Sequence, residues 1–336
     1  GKTVGQMLGA SVWGDPHVGG SYFPTFRSTS TGVEMMAGFL HSIPMFLDEL
    51  QLAKDGHGNV KFNVYELASG SGKLRSNRSL GLNYMPQWET CFITSGETPI
   101  VSSTDGEGAL NRVIEIECYA DSKVIQDGHR TSNVLKLNYG HAGRKFIEAL
   151  TAGDGIDRAK ALYEEYYVQC LASDTTEKQA MAASLVLTAD EILCKHILET
   201  QDILSVRDIA KHLATKQQVS VGERGYNFFC DWVGANQKRF ATPQSTPENG
   251  EIYGIFGNND GYVYIIRSIF IREAEKEGYN PKALLSFLKE NHLIATRGKA
   301  MTKCKRINGH QSECVALELP HSDCEDDDIS DEDELI

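Results

Sequence analysis

The 336-residue chain has no CxxC pair among its eight cysteines, which stand apart at 91, 118, 170, 194, 230, 304, 314 and 324. That spacing argues against a zinc ribbon and a small disulfide-stapled secreted scaffold, and it favours a reducing, cytoplasmic setting. No apolar run approaches the ~18–20 residues of a membrane helix, and the opening Gly1-Lys2-Thr3 is no signal peptide, so no membrane partner is expected. Chain-wide disorder is excluded as well, because 41% hydrophobic and 24% charged residues are ordinary for a globular chain. There is no initiator methionine.

Positive charge is missing from one place in particular. Residues 321–336 carry nine carboxylates and no Lys or Arg, which reads as a disordered acidic tail. Without those nine charges the net −13 becomes −4, so the acidity of the whole chain does not argue against nucleic acid as a partner.

What is present begins at the first residue. Gly1-Lys2-Thr3 is the closing tripeptide of the phosphate-binding loop GxxxxGK[ST], and it leads directly into a helix-like run, Val4 to Trp13. In that loop backbone N–H groups cradle phosphates, Lys neutralises the β- and γ-phosphates, and the Thr hydroxyl holds Mg²⁺. The tripeptide alone is a weak signal, and the upstream strand and first loop glycine are not in the chain. Support comes from Ile43-Pro-Met-Phe-Leu-Asp-Glu49, a short apolar run ending in two carboxylates. It predicts a buried parallel strand that delivers Asp48 to a metal and Glu49 to an attacking water, the Walker B arrangement. The plainer reading is a strand ending in a solvated acidic turn.

A second apolar strand is expected at Thr90–Ser95, with Ser95 or Thr94 placed to contact the γ-phosphate or its water. A third is expected at Arg112–Glu117, where apolar and charged residues alternate. Arg112 at its start would reach a neighbouring subunit's γ-phosphate as an arginine finger, or stand as an ordinary surface charge. Between these, residues 70–86 hold Lys73, Arg75 and Arg78 with no acid, in a pattern that predicts a basic β-hairpin. Such a hairpin suits a grip on a nucleic-acid backbone, and equally a solvated turn balancing nearby carboxylates.

Taken in order, Gly1-Lys-Thr-Val, Ala10-Ser-Val-Trp-Gly-Asp15, Arg27-Ser-Thr-Ser-Thr-Gly-Val-Glu34, Phe46-Leu-Asp-Glu49, Gly72-Lys-Leu-Arg75, Ile93-Thr-Ser-Gly-Glu97, Asn111-Arg-Val113 and Asn138-Tyr-Gly-His-Ala-Gly143 form a pattern. It resembles the ATPase domain of the Cch-like helicases of bacterial mobile elements, prophages and staphylococcal cassette chromosomes, over about residues 1–150. The resemblance implies an AAA+ fold related to the MCM replicative helicases, ATP-driven DNA unwinding and a homo-hexameric ring. It implies that Gly1, Lys2 and Thr3 belong to Walker A, and Asp48 and Glu49 to Walker B. Ser95 becomes sensor 1, Lys73 with Arg75 the pre-sensor hairpin, and Arg112 the finger. The chain departs from the family in lacking the amino-terminal region and half of Walker A, so a fragment is expected.

Beyond residue 140 the spacing turns helical over 142–150, 156–172 and 177–198, as expected of a lid and linker. Arg144 or Arg158 would serve as a second sensor, though either suits a solvated helix charge. Farther on, a helix over 224–239, a hairpin over 252–266, helices near 267–277 and 281–291 and a strand–turn–strand around 305–319 predict a winged helix-turn-helix. Arg297, Lys299, Lys303, Lys305 and Arg306 lie in an acid-free stretch, 294–312, that reads as a phosphate-facing wing; a protein-binding winged helix is the alternative. Cys304, His310, Cys314, His321 and Cys324 match no usual zinc spacing.

The expected architecture is therefore α/β. A three-layer AAA+ P-loop core over 1–150, truncated at its amino end, precedes a helical lid over 151–220, a winged-helix DNA-binding domain over 221–320 and an acidic tail over 321–336. The expected activity is an ATP- and Mg²⁺-dependent DNA helicase of a phage or mobile element. Single-stranded DNA would pass the pore and duplex would meet the winged helix. The alternatives are an ATPase loader or switch acting on a replication complex, and a winged-helix regulator with a decayed ATPase.

Overall fold

The computed structural model describes residues 1–53, 64–76, 81–101, 105–119, 124–242, 245, 247, 250–258, 260–298 and 300–320. The chain divides into two compact units, Gly1–Val219 and Ser220–Ile336.

The first unit opens with α1 (Lys2–Trp13), α2 (Ser30–Leu40) and β1 (Met45–Leu47), followed by α3 (Val64–Ala68) and β2 (Phe92–Thr94). Thr29 caps α2 by accepting from the Gly32 amide at 3.1 Å. β1 and β2 pair in parallel, Met45 with Phe92 and Leu47 with Thr94. All three β1 residues are buried, and their alternation sorts them between two cores. Met45 and Leu47 join Val33, Ala37 and Trp88 on the α2 side. Phe46 joins Met7, Ala10 and Phe23 on the α1 side. A helix thus covers each face of the parallel pair, which is why its strands are apolar throughout.

The segment Arg112–Glu117 does not form the strand that its alternation predicts. After the short α4 (Glu107–Leu110), residues 113–119 are irregular. Ile114 packs into a helical cluster while Ile116 is left exposed, and the carbonyls of Leu110 and Val113 are taken by a side chain instead of a neighbouring strand. The helical stretch is α5 (Gly128–Leu137), α6 (Ala142–Thr151), α7 (Gly155–Leu171), α8 (Glu177–Leu193), α9 (Val206–Ala210) and α10 (Lys216–Val219). α6 lies against α1 so closely that a Cβ on Gly143 would stand 2.5 Å from the Trp13 ring. α7 and α8 bury Cys170, Ala180, Ala183 and Leu187 between them.

The second unit comprises α11 (Val221–Ala235), β3 (Phe240–Ala241), β4 (Gly254–Phe256), β5 (Tyr262–Ile266), α12 (Arg267–Lys276), α13 (Pro281–Glu290), β6 (Lys303–Ile307) and β7 (His310–Glu318). Its sheet runs β3-β4-β5-β7-β6, antiparallel except for β3 with β4. Val263, Ile265, Val315 and Leu317 face the helices and meet Phe229, Phe270, Leu284 and Leu288, with Phe229 stacked on Phe270 at 4.2 Å. Tyr264, Cys314 and Ala316 point the other way, as the two-residue period requires. Asn280 caps α13, accepting from the amides of Lys282 and Ala283, with Pro281 at the first helical position. Among the described residues no helix is long and apolar enough to cross a membrane.

Candidate functional site

The carboxyl ends of β1 and β2 and the start of α1 meet at one edge of the first unit. Asp48 follows β1 and is 3% exposed. Its backbone is pinned on the far side, where the Phe26 amide donates to the Asp48 carbonyl at 3.1 Å. Its carboxylate Oδ1 accepts from the Glu49 amide at 3.0 Å and from the Ser95 hydroxyl at the end of β2. Between Ser95 and Thr94 it is therefore Ser95 that meets the carboxylate. Gln6 of α1, also buried, sits across both strands. Its amide nitrogen donates to the carbonyls of Leu47 at 3.4 Å and Ile93 at 3.3 Å; turned over, the same amide would offer its nitrogen to Asp48 Oδ1 at 3.2 Å and its oxygen to the Ser95 amide at 2.9 Å. The Glu49 and Ser95 contacts both converge on Oδ1.

Lys2 closes the arrangement, donating Nζ to the Gly96 carbonyl at 2.5 Å. Gly1 is the N-cap of α1 and gives it no side-chain bond, and no acid stands in the first turn. The dipole of α1 favours an anion at this end. Thr3 lies in the same turn and Glu49 is exposed beside Asp48. Glu49 holds φ at +62°, a conformation unusual for a side-chain-bearing residue. Carboxylate and hydroxyl oxygens are the hard ligands that Mg²⁺ takes, so Asp48 and Thr3 suit such an ion by type, and the first turn of α1 with Lys2 suits phosphate.

The basic segment forms a narrow antiparallel ribbon, with bridges at Ser71 to Gln87 and Ser76 to Leu82. Two of its cations face carboxylates of this chain. Lys73 pairs with Glu66 of α3 at 2.7 Å. Arg75 donates to both oxygens of Glu34 on α2, at 2.6 and 3.0 Å, and the Lys73 amide adds a third bond at 3.2 Å. Hydrogen bonding from Arg75, above all, holds the Glu34 carboxyl below its ordinary pKa even though burial opposes the shift. The fit is close: a Cβ on Gly72 would stand 2.8 Å from Glu34 Oε2. Arg78 lies outside the described residues.

Arg112 is exposed just after α4. Its guanidinium donates to the Gly108 carbonyl at 2.5 Å and lies 5.7 Å from the Tyr65 ring centre. Arg158 pairs with Asp154 one helical turn away at 2.8 Å, and Arg144 is exposed on α6.

The cations of the second unit do not share one face. Register places Lys303 and Lys305 on the Tyr262 and Tyr264 side of the sheet, with the Lys305 ammonium 3.9 Å from the Tyr264 ring centre. Beneath it the buried Tyr264 hydroxyl, pushed up to about 12 mainly by desolvation, donates to Asp260 at 2.7 Å. Arg306 alternates to the opposite face and donates Nε to the Gly309 carbonyl at 3.3 Å. Arg297 is exposed before β6, and Lys299 lies outside the described residues.

Sequence reasoning missed Gln6 and Glu34. Both had a legible signal: a polar residue on the buried stripe of α1 with Met7 and Ala10, and an acid on the buried stripe of α2 with Val33 and Ala37. Such positions are costly unless the group is bonded.

Comparisons with known proteins agree with this division. Residues 220–322 match the Cch helix turn helix domain, and residues 1–83 match DUF927, a domain of unknown function. No curated protein matches the chain. A solved structure described as "SCCmec type IV Cch - active helicase" is similar, with a TM-score of 0.70 at 20% identity. The match covers 95% of this chain and 59% of that one, so the chain spans less than two thirds of its neighbour. At that identity the likeness is one of fold: a mixed α/β unit followed by a helix-turn-helix domain.

Proposed function

We propose that this chain is the motor portion of an ATP-dependent DNA helicase of a mobile genetic element, built on an AAA+ P-loop core and acting as a hexameric ring. The observation that carries this reading is the convergence of Lys2, Asp48 and Ser95 at one sheet edge, where the buried Asp48 carboxylate accepts from the Ser95 hydroxyl beside the start of α1. Phosphate groups would be held by the first-turn amides of α1 and by Lys2, and Mg²⁺ by Thr3 and Asp48. The ion would supply charge neutralisation for phosphoryl transfer. Glu49 would take a proton from the attacking water, and Ser95 would hold Asp48 in its orientation. Arg112 would serve a neighbouring subunit's site. The second unit would meet duplex DNA, and the ribbon of residues 70–86 a single strand.

The fold likeness to an active helicase supports the class of reaction, and the Cch helix turn helix match supports a DNA partner. The test is nucleotide binding against hydrolysis in the full-length protein. Lys2→Ala should weaken binding, whereas Glu49→Gln should bind nucleotide and fail to turn it over, because Asp48 and Lys2 remain. Parent turnover in Glu49→Gln would sink the reading.

One observation favours a second reading. Lys73 and Arg75 are engaged by Glu66 and Glu34, which suits an ATPase loader or switch whose ribbon does not grip DNA. Salt-dependent stimulation of hydrolysis by single-stranded DNA separates the two: a translocase shows it and a switch does not.

A further inference from the structure

α8 reaches back to the segment that carries Arg112. Gln179, fully buried near the start of α8, donates Nε2 to the carbonyl of Leu110 at 3.0 Å and to that of Val113 at 2.8 Å. Those two carbonyls bracket Arg112. Thr176, the N-cap of α8, donates its hydroxyl to the Asn111 side chain, and Ile114 packs into the α7–α8 cluster. Residues 110–114 are therefore tied to α8, and through the amides of Asn111 and Arg112 to the carbonyls of Glu107 and Ala109 on α4, and not to a strand neighbour. Within this frame the Arg112 side chain is exposed, and its own contacts, the Gly108 carbonyl and the Tyr65 ring, are surface contacts.

Gln179 is an awkward residue for packing alone. Its Oε1 is buried with no partner among the described residues, and a buried unpaired acceptor is costly. An apolar side chain of the same length would avoid that cost but would take the side-chain donor from the Val113 carbonyl and leave the Leu110 carbonyl only the Val113 amide at 3.4 Å. The amide is set for holding the loop.

We propose that Gln179 is a positioning residue for Arg112, so that any shift of α8 is delivered to the guanidinium through the peptide units on either side of it. This rests on the reading of Arg112 as the finger that completes a neighbour's site. The helix that follows the nucleotide-binding layer would then govern catalysis in the adjacent subunit through two main-chain hydrogen bonds.

The test measures turnover, nucleotide affinity and Tm in the full-length protein for Gln179→Met, Arg112→Ala and the double variant. Methionine keeps the length and removes both donors. Gln179→Met should lower kcat by about tenfold or more at unchanged nucleotide Kd, and should lower it no further once Arg112→Ala is present, since both changes act through one group. A parent kcat in Gln179→Met, or an equal additional loss in the Arg112→Ala background, would overturn the proposal. Arg112→Ala at the parent rate would overturn the finger reading itself, a failure visible without any change at Gln179. Should Gln179→Met fail to fold, Thr176→Val removes the adjacent bond to Asn111. It should show the same dependence on Arg112, and an additive loss there overturns the link.

Discussion

Arg75 and Glu34 form a two-bond ion pair across the first unit, at 2.6 and 3.0 Å, with the Glu34 side chain 4% exposed and that of Arg75 34%. The ribbon is thereby anchored to α2 by one of the cations that its composition offered to DNA. Lys73 is a different case, because its partner is reached at the surface and its own side chain is 55% exposed.

This asymmetry separates two substitutions that look alike in sequence. Arg75→Ala would strand a buried carboxylate and should lower the melting temperature more than Lys73→Ala does, because only the Glu34 side of the pair is buried. Lys73→Ala should cost less than about 1 kcal/mol, as exposed pairs do. Thermal melting of the two variants checks the order. Lys73→Ala is then the cleaner probe of DNA contact, and its loss should reduce the salt slope of single-strand binding by about one.

Acid should release the same anchor. The Glu34 pKa is lowered in the folded state, so its contribution to stability is complete above the unfolded value, ~4.3, and is lost as pH falls through the folded one. Proteolysis within the ribbon should therefore accelerate below about pH 4.3 in the parent. In Glu34→Gln that acid-dependent component should be absent, with cleavage already faster at neutral pH.

Gln6 makes a separate prediction at the sheet edge. In its turned-over orientation its amide donates to Asp48, and partners of this kind typically contribute 10–100-fold to metal affinity. Gln6→Met should raise the Mg²⁺ concentration needed for tight nucleotide binding by roughly tenfold while leaving Mg²⁺-free binding at the parent level. An unchanged Mg²⁺ titration would show that Asp48 needs no help from α1.

In the second unit, the split of cations between faces predicts unequal losses. If duplex DNA meets the Tyr262–Tyr264 side, Lys303→Ala with Lys305→Ala should lower the salt slope by about two, and Arg306→Ala should leave it in place. The reverse order would put DNA on the helix side of the sheet. The Lys305 stem also covers Tyr264, so its variant should be compared at matched folded fraction.

Some of this was readable directly. The Met45–Leu47 run predicted a buried parallel strand, and it is one, because three consecutive apolar residues suit a sheet covered on both faces. The helices expected near 267–277 and 281–291 and the strand–turn–strand beyond them are present as Arg267–Lys276, Pro281–Glu290 and Lys303–Glu318. The Arg112–Glu117 strand was misjudged because alternation reports which side chains want burial, and not whether a strand lies alongside to take the hydrogen bonds.

The sequence by itself determined the local elements, the apolar stripes that face each core, and which residue types stand at the ends of β1 and β2. Those depend on neighbours a few residues apart, which a linear reading contains. The tertiary structure decided the partners: Glu34 for Arg75, Ser95 for Asp48, Gln179 for the loop of Arg112, and the division of the Lys303–Arg306 cations between two faces. Each of the first three joins groups from different elements. Whether a charge is neutralised or a carbonyl satisfied depends on which elements the fold brings within about 3 Å of each other, the reach of a hydrogen bond.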